Sequence, residues 1–166
     1  PHFIYENSSI LKDGIEISKI KELKIFISLN NLFSQKNFEI KNVILEKSNF
    51  NLDNQSYGFF IELLDANFQD DRLVIKNSNI FYRNKDDEVL FINKILNMEY
   101  FYDIKSLGNK LVSTNEIFNS LYSIELNKND IEKKFFFKLN LNFLKLKIDN
   151  ELDFSEEVKK GTIDFI

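Results

Sequence analysis

Residues 38–52 read FEIKNVILEKSNFNL, a run in which apolar and polar side chains alternate as they do in a half-buried β-strand. Phe38 and Ile40 share one parity, but the next apolar side chains, from Val43 onward, have the other. The alternation therefore changes phase directly after Lys41. Because one extra residue in a strand produces such a change, the stretch predicts a strand with a β-bulge.

The same form returns further along the chain. Residues 72–84 read RLVIKNSNIFYRN, and the tripeptide at positions 75–77 repeats the tripeptide at positions 40–42, an offset of 35 residues. The alternation again changes phase directly after the lysine of this tripeptide. Two strands that break at the same point of a repeat are expected to pack side by side as equivalent bulged strands of one sheet.

Period-two alternation covers much of the remaining chain, at residues 22–29, 88–93, 96–104, 110–115, 122–127 and 135–152. Residues 1–7 are apolar without a clear period and fit either an entering strand or a linker. One helical pattern lies near residues 55–67, where apolar side chains recur every three or four positions. We expect a mainly β fold: an extended, strongly twisted antiparallel sheet folded over a groove-like apolar interior, with one short helix.

Composition favours one folded domain over residues 1–166. The chain is 43% hydrophobic and 29% charged, which is typical of globular proteins. Its net charge of -4 argues against a nucleic-acid partner, since phosphate binding requires concentrated Lys and Arg. The chain begins at Pro1 without a Met and ends within an alternating pattern at residues 162–166. We therefore expect a piece excised from a longer protein.

Catalytic and metal-binding residues are not indicated. The chain has no Cys and a single histidine, His2, at its edge, so thiolate metal sites and His-based catalytic triads are excluded. Carboxylates cluster at residues 70–71 and 86–88, where they fit solvated turns better than a cation site, because the alternate spacing of a calcium loop is missing. We predict a protein that is not an enzyme and that needs no cofactor and no metal.

A basic stripe and a set of aromatic residues are the remaining candidate features. The lysines at positions 133, 134, 138, 145 and 147 fit either a solvated strand face or a contact with anionic lipid head groups. The 18 Phe and 6 Tyr exceed what a thin sheet needs. Since each large apolar side chain gains ~2 to 3 kcal/mol on full burial, they either form the core or line an apolar groove or interface.

Two segments carry a resemblance to a known family. Residues 21–52, KELKIFISLNNLFSQKNFEIKNVILEKSNFNL, resemble the N-terminal segment of AsmA-like proteins, in which one strand leads through a short Leu-containing turn to another. Residues 72–102, RLVIKNSNIFYRNKDDEVLFINKILNMEYFY, resemble the next unit of that family, and residues 135–154 look like a later one. AsmA-like proteins of the AsmA and TamB type are periplasmic β-groove proteins.

The resemblance implies an N-terminal segment of an envelope protein in the periplasm of a Gram-negative bacterium, anchored in the inner membrane by a helix upstream of residue 1. It implies a role in outer-membrane biogenesis and in phospholipid transport, with acyl chains and other envelope proteins as partners. The apolar residues expected to line the groove are Leu23, Ile25, Ile27, Phe38, Ile40, Val43, Leu45, Leu73, Ile75, Ile80, Phe135, Phe137, Leu139, Leu141 and Phe143. The alternative is a structural or interaction β-domain with a closed core and no lipid ligand.

Overall fold

The structure, a computed structural model, describes residues 1–28, 39–53, 56–58, 72–105, 107–129, 131–153 and 160–165. Ten strands account for most of them. They are β1 (His2–Lys12), β2 (Ile15–Ile27), β3 (Ile40–Leu52), β4 (Arg72–Arg83), β5 (Val89–Asp103), β6 (Gly108–Ile117), β7 (Ser120–Asn129), β8 (Lys134–Leu141), β9 (Leu146–Asp153) and β10 (Lys160–Phe165). The predicted mainly β fold is confirmed, and residues 1–7 belong to a strand.

All ten strands form one sheet in which spatial order follows chain order, so that β1 and β10 are its edges. Every neighbouring pair is antiparallel except β3 and β4, which are parallel. The prediction of an antiparallel sheet is wrong at this pair. Residues 53–71 separate the two strands, and this length suits the crossover that parallel neighbours require. The folding of the sheet over a groove-like interior stays a prediction.

The predicted bulge in β3 is present. Phe26 of β2 pairs with Asn42, whereas the next residue, Ile27, pairs with Ile40. Lys41 is therefore the extra residue, at the point where the sequence pattern changes phase.

The predicted neighbours β3 and β4 do lie side by side, but their predicted register is wrong. Leu45 pairs with Ile75 and Asn49 pairs with Asn79, so the structural repeat has an offset of 30 residues rather than 35. Residues 45–52 (LEKSNFNL) align with residues 75–82 (IKNSNIFY). The shared Ile-Lys-Asn tripeptide does not occupy equivalent positions in the two strands.

A left-handed backbone conformation marks the structural repeat. Lys47 in β3 has φ 53° and Asn77 in β4 has φ 49°, and Asn7 in β1 has φ 53°. Each of the three is followed directly by a serine. Asparagine adopts this conformation more readily than most residues, because its short polar side chain bonds locally. We call these three positions the kink residues.

The kink residues keep the apolar side chains on one side of the sheet. In β3 the buried residues before Lys47 include Leu45, whereas after it they are Ser48 and Phe50, so the buried parity changes at the kink. One continuous cluster therefore spans both halves of the strands. Its buried members are Ile20, Leu45, Phe50, Leu73, Ile75, Ile95, Tyr100 and Leu111. We call the side of the sheet that carries this cluster the inner face.

Ion pairs between neighbouring strands cover the opposite, outer face. Lys94 Nζ lies 2.6 Å from Glu116 Oε1, and Lys110 Nζ lies 2.7 Å from Glu125 Oε1. Arg72 of β4 pairs in the same way with Glu99 of β5. Exposed pairs contribute at most about 1 kcal/mol each, so they distinguish the two faces more than they stabilise the fold.

Two strand boundaries differ from the sequence prediction. The single run predicted at residues 135–152 is a hairpin, because β8 ends at Leu141, residues 142–144 form a 3-10 turn and Lys145 has φ 53°. Conversely, the strands predicted at residues 88–93 and 96–104 are one strand, β5, whose pairing with β6 shifts register between Ile95 and Asn97.

Some predicted features lie outside the described residues. These are Phe38, the carboxylates at residues 70–71 and the predicted helix at residues 55–67 apart from positions 56–58, which form a helical turn. At the start of that turn, Ser56 N–H donates to Asp53 Oδ1 at 2.7 Å, and Asp53 N–H donates to Ser56 Oγ at 2.9 Å.

Candidate apolar binding face

Two rows of directly paired residues cross the inner face from β2 to β8. Residues that pair directly in neighbouring strands project to the same side of a sheet. One row consists of Ile25, Val43, Leu73, Tyr100, Leu111, Leu126 and Phe137, and the other of Leu23, Leu45, Ile75, Met98, Ser113, Ile124 and Leu139. All but Ser113 are hydrophobic side chains, so the rows form a continuous apolar band.

The central part of the band is closed. Leu45, Leu73, Ile75, Tyr100 and Leu111 are each at most 7% exposed, and they pack against one another across β3 to β6. Side chains buried to this extent form a protein core. A ligand cannot reach them without displacing what covers them.

The band is more open where it continues over β7, β8 and β9. Nine large apolar side chains on the inner face of these strands are only half-buried: Ile124, Leu126, Phe135, Phe137, Leu139, Leu141, Leu146, Ile148 and Leu152. We call these nine residues the β7–β9 patch. Contiguous apolar surface that stays accessible is typical of a binding or interaction site.

Most of the residues predicted to line a groove lie on the inner face. Eight are in the two rows, namely Leu23, Ile25, Val43, Leu45, Leu73, Ile75, Phe137 and Leu139. Ile80 packs against the core cluster from the same face, and Phe135 and Leu141 belong to the β7–β9 patch. Whether any of them contacts lipid stays a prediction.

Three other residues predicted to line the groove lie neither in the two rows nor in the β7–β9 patch. Ile27 is buried at the end of β2, and its partner Ile40 is exposed. The strand position predicted for Phe143 is wrong, because this residue lies in the 3-10 turn with 59% of its surface exposed. Ile124 and Leu126 were not among the residues predicted to line the groove, although the alternation of apolar and polar residues in their strand indicated that they share one face.

A polar strip adjoins the apolar band on the inner face. Its buried members are Ser18, Ser48, Ser78, Asn93 and Asn115. The Tyr122 hydroxyl reaches this strip and donates to Asn93 Oδ1 at 2.8 Å. Burial raises the pKa of the Tyr122 phenol to about 12, so this hydroxyl keeps its proton and its donor role through the neutral range.

Two serines of the strip follow kink residues in β3 and β4 and have unequal hydrogen bonding. Ser78 Oγ accepts from the Ser48 backbone N–H at 3.0 Å and donates to Lys76 O at 2.8 Å. The Ser48 hydroxyl, in contrast, is buried and has no hydrogen-bond partner among the described residues.

This asymmetry predicts opposite results for the same substitution. Ser78→Ala should lower the free energy of unfolding by about 1 to 3 kcal/mol, because it leaves the buried Ser48 N–H unpaired. Ser48→Ala removes only an unpaired hydroxyl and should be neutral or stabilising. Urea denaturation of both variants checks this, and an equal loss in the two would contradict the assignment of the hydrogen bond.

The carboxylates at residues 86–88 lie in the β4–β5 turn. Asn84 Oδ1 accepts from the backbone N–H groups of Asp86 and Glu88, both at 2.9 Å, and Arg83 Nη1 donates to Asp87 O at 2.7 Å. This local bonding matches the predicted solvated turn. Within the described ranges, His, Asp and Glu side chains nowhere gather in groups of three or more that could hold a metal ion.

The lysines of the predicted basic stripe are spread along the length of the sheet, and Lys138 lies exposed in the middle of β8, opposite Asp149. Lys133 lies in the β7–β8 turn, whereas Lys145 and Lys147 lie at the opposite end, in and after the β8–β9 turn. Lys134 Nζ is 2.9 Å from Glu151 Oε1, and this hydrogen bond raises the pKa of the lysine. The stripe is therefore not one continuous basic surface.

Comparison with protein-family models finds no matching family, and comparison with curated proteins finds no matching relative. None of the helical turns in the described part of the chain has the length and apolarity needed to cross a membrane.

Proposed function

We propose that this chain is a non-enzymatic, AsmA-like segment of a Gram-negative envelope protein that binds phospholipid acyl chains on the inner face of its sheet. In this proposal it acts in the periplasm, takes part in outer-membrane biogenesis and phospholipid transport, and is held at the inner membrane by a segment upstream of residue 1. Other envelope proteins are its further partners.

The β7–β9 patch is the observation that supports this proposal. Its nine apolar side chains continue the closed core outward, and they remain half-buried rather than covered. An acyl chain lying along the patch would remove this surface from water, which contributes roughly 25 cal/mol for each Å² of apolar area. On the outer face, by contrast, ion pairs such as Lys94–Glu116 lie among the apolar side chains.

A structural or interaction domain is the second candidate function. The closed centre of the band supports it, and so does the edge strand β1, where Phe3, Ile4 and Tyr5 are each about half exposed. An exposed edge strand with apolar side chains is a template for pairing with another strand. In this alternative the sheet binds protein and no lipid.

Native mass spectrometry distinguishes the two candidates. After expression in a lipid-containing bacterial host, the acyl-chain proposal expects phospholipid to remain bound to a substantial fraction of the protein. A protein that carries no lipid and takes up none from added detergent-solubilised phospholipid would favour the interaction domain.

Two adjacent phenylalanines in β8 provide a matched test of the face. Phe137 lies in the β7–β9 patch, whereas Phe136 projects to the outer face, opposite Glu151. Phe137→Asn should weaken binding of a fluorescent acyl-chain analogue by roughly fiftyfold, because burial of a Phe side chain contributes ~2 to 3 kcal/mol. Phe136→Asn should leave binding unchanged. Equal losses in the two variants would show that the inner face is not the site.

A further inference from the structure

The β6–β7 and β8–β9 turns lie next to each other at one end of the sheet. β7 separates β6 from β8, and Tyr122 near the start of β7 pairs with Leu141 at the end of β8. Beyond this pair the chain reverses at Phe118 and Asn119 in one turn and at residues 142–145 in the other. We call residues 117–121 and 142–145 together the hairpin tip.

The hairpin tip exposes large apolar side chains. Phe118 is 79% exposed, Phe143 59%, Leu144 57% and Leu121 48%. Large apolar residues exposed as a group, rather than singly, indicate an interaction surface.

The two turns of the tip and the residues that follow them carry only basic charges. Within residues 117–124 and 139–148 the only ionisable acid or base groups of Asp, Glu, Lys or Arg are Lys145 and Lys147. The carboxylate of Glu116 adjoins the tip, because Glu116 pairs directly with Leu121, and it is ion paired with Lys94 at 2.6 Å. The tip therefore combines apolar side chains with two lysines.

The other described hairpin turns that expose large apolar residues differ in charge. Leu11 and Ile15 flank Asp13, Val89 and Leu90 follow Glu88, Ile104 and Leu107 follow Asp103, and Ile131 precedes Glu132. A carboxylate next to the apolar side chain disfavours an anionic partner. These turns also contain lysines, but each of them holds a carboxylate within the turn, whereas the two turns of the hairpin tip hold Lys145 and no carboxylate.

The backbone of the β6–β7 turn holds its aromatic residue in an unfavourable conformation. Phe118 has φ 49° and Asn119 has φ 58°, so both central residues of this two-residue turn are left-handed, as in a type I′ turn. Such turns favour Asn or Gly at these positions, and a bulky side chain at positive φ is uncommon. Phe118 contributes little to folding here, since it is exposed and its backbone is strained.

We propose that the hairpin tip docks on the surface of an anionic phospholipid bilayer, with Phe118, Phe143 and Leu144 entering the interface and Lys145 and Lys147 contacting the head groups. Apolar side chains beside basic ones bind such surfaces through burial in the interface and attraction to anionic lipid. The docking deepens the proposed function, because Leu141 and Leu146 of the β7–β9 patch flank the β8–β9 turn. Acyl chains would pass from the bilayer to the patch along these two residues.

Flotation with vesicles tests the docking on the intact protein. The protein is expected to float with vesicles of phosphatidylcholine mixed with phosphatidylglycerol and to bind vesicles of phosphatidylcholine alone much more weakly. Lys145→Gln combined with Lys147→Gln should weaken binding about thirtyfold, because each basic side chain near an anionic surface contributes ~1 kcal/mol. Failure to float with either kind of vesicle would overturn the proposal.

Phe118→Asn separates docking from folding. The substitution relieves the left-handed backbone, so the melting temperature should stay the same or rise, while vesicle binding should fall about tenfold. Leu90→Asn is the matched control, since Leu90 is 63% exposed at the same end of the sheet but follows an acidic turn, and it should not change vesicle binding. Equal losses in Phe118→Asn and Leu90→Asn would overturn the proposal.

The outcome for docking is distinguishable from the outcome for acyl-chain binding. If the tip docks as proposed, Phe118→Asn still binds the fluorescent acyl-chain analogue in detergent solution, whereas Phe137→Asn still floats with anionic vesicles. Loss of vesicle binding in Phe137→Asn, with Phe118→Asn unaffected, would place the membrane contact on the sheet face and overturn docking by the tip.

Discussion

Gly108→Ala is expected to lower the free energy of unfolding by about 3 kcal/mol, although it adds a single methyl group. Gly108 is the first residue of β6 and is buried opposite Asn129 of β7. A Cβ atom at this position would overlap the carbonyl oxygen of Lys128 and lie 2.8 Å from its carbonyl carbon. Because both atoms belong to the backbone, the β6–β7 pairing itself would have to shift. Thermal denaturation should show a melting temperature lower by about 10 °C.

Gly58→Ala is the matched control for this prediction. A Cβ atom built on Gly58 has no heavy atom within 4 Å, and the residue has no positive φ that would strain alanine. The substitution should therefore be neutral, or stabilising by up to about 1 kcal/mol, because alanine has less freedom than glycine in the unfolded chain. If Gly108→Ala were as harmless as Gly58→Ala, the close approach of β6 to the Lys128 carbonyl would be contradicted.

Alternation of apolar and polar residues was sufficient to predict most strands, because one face of this sheet is buried. It could not predict strand direction, since a parallel and an antiparallel partner impose the same period of two. The parallel pairing of β3 with β4 was missed for this reason. The bulge at Lys41 was predictable because the extra residue shifts the parity of every apolar residue after it.

The register of the repeat was missed because residues 75–77 are identical to residues 40–42. The two strands instead align on the serines that follow their kink residues. The structurally equivalent kink residues are Lys47 and Asn77, and lysine gives little indication of a left-handed conformation. The β8–β9 turn was missed for a similar reason. Phe143 and Leu144 are apolar, and Lys145 has φ 53°, so no Gly, Asn-Gly or Pro signal marks the reversal.

The sequence was sufficient to predict which residues form the candidate site. It could not predict which of them are buried in the closed core and which remain accessible. Ile75 and Phe137 occupy similar positions in their alternating patterns, yet the first is buried and the second half-buried. The difference depends on how many strands flank each residue and on what covers it, which a period of two does not report. Exposed turn residues such as Phe118 carry no periodic signal at all.

Ile75→Ala is expected to lower the free energy of unfolding by about 2 to 5 kcal/mol, the cost of a cavity in a closed core. Ile75 is 4% exposed, pairs with Leu45 and Met98 on its two sides and belongs to the central cluster. Chemical denaturation measures the loss, and the more conservative Ile75→Val should cost only about 1 kcal/mol.

Ile148→Ala makes the same change in an equivalent register position of β9. Ile148 pairs with Leu139, which extends the row that contains Ile75, but it is half-buried. Less than half the loss of Ile75→Ala is therefore expected, since solvent already reaches this side chain and truncation leaves no closed cavity. Bound acyl-chain analogue should enlarge the loss in Ile148→Ala and leave the loss in Ile75→Ala unchanged, because ligand stabilises the native state only where the patch is intact. Equal losses in Ile75→Ala and Ile148→Ala, with no effect of the analogue, would mean that the β7–β9 patch is closed core and would favour the interaction domain over the lipid-binding one.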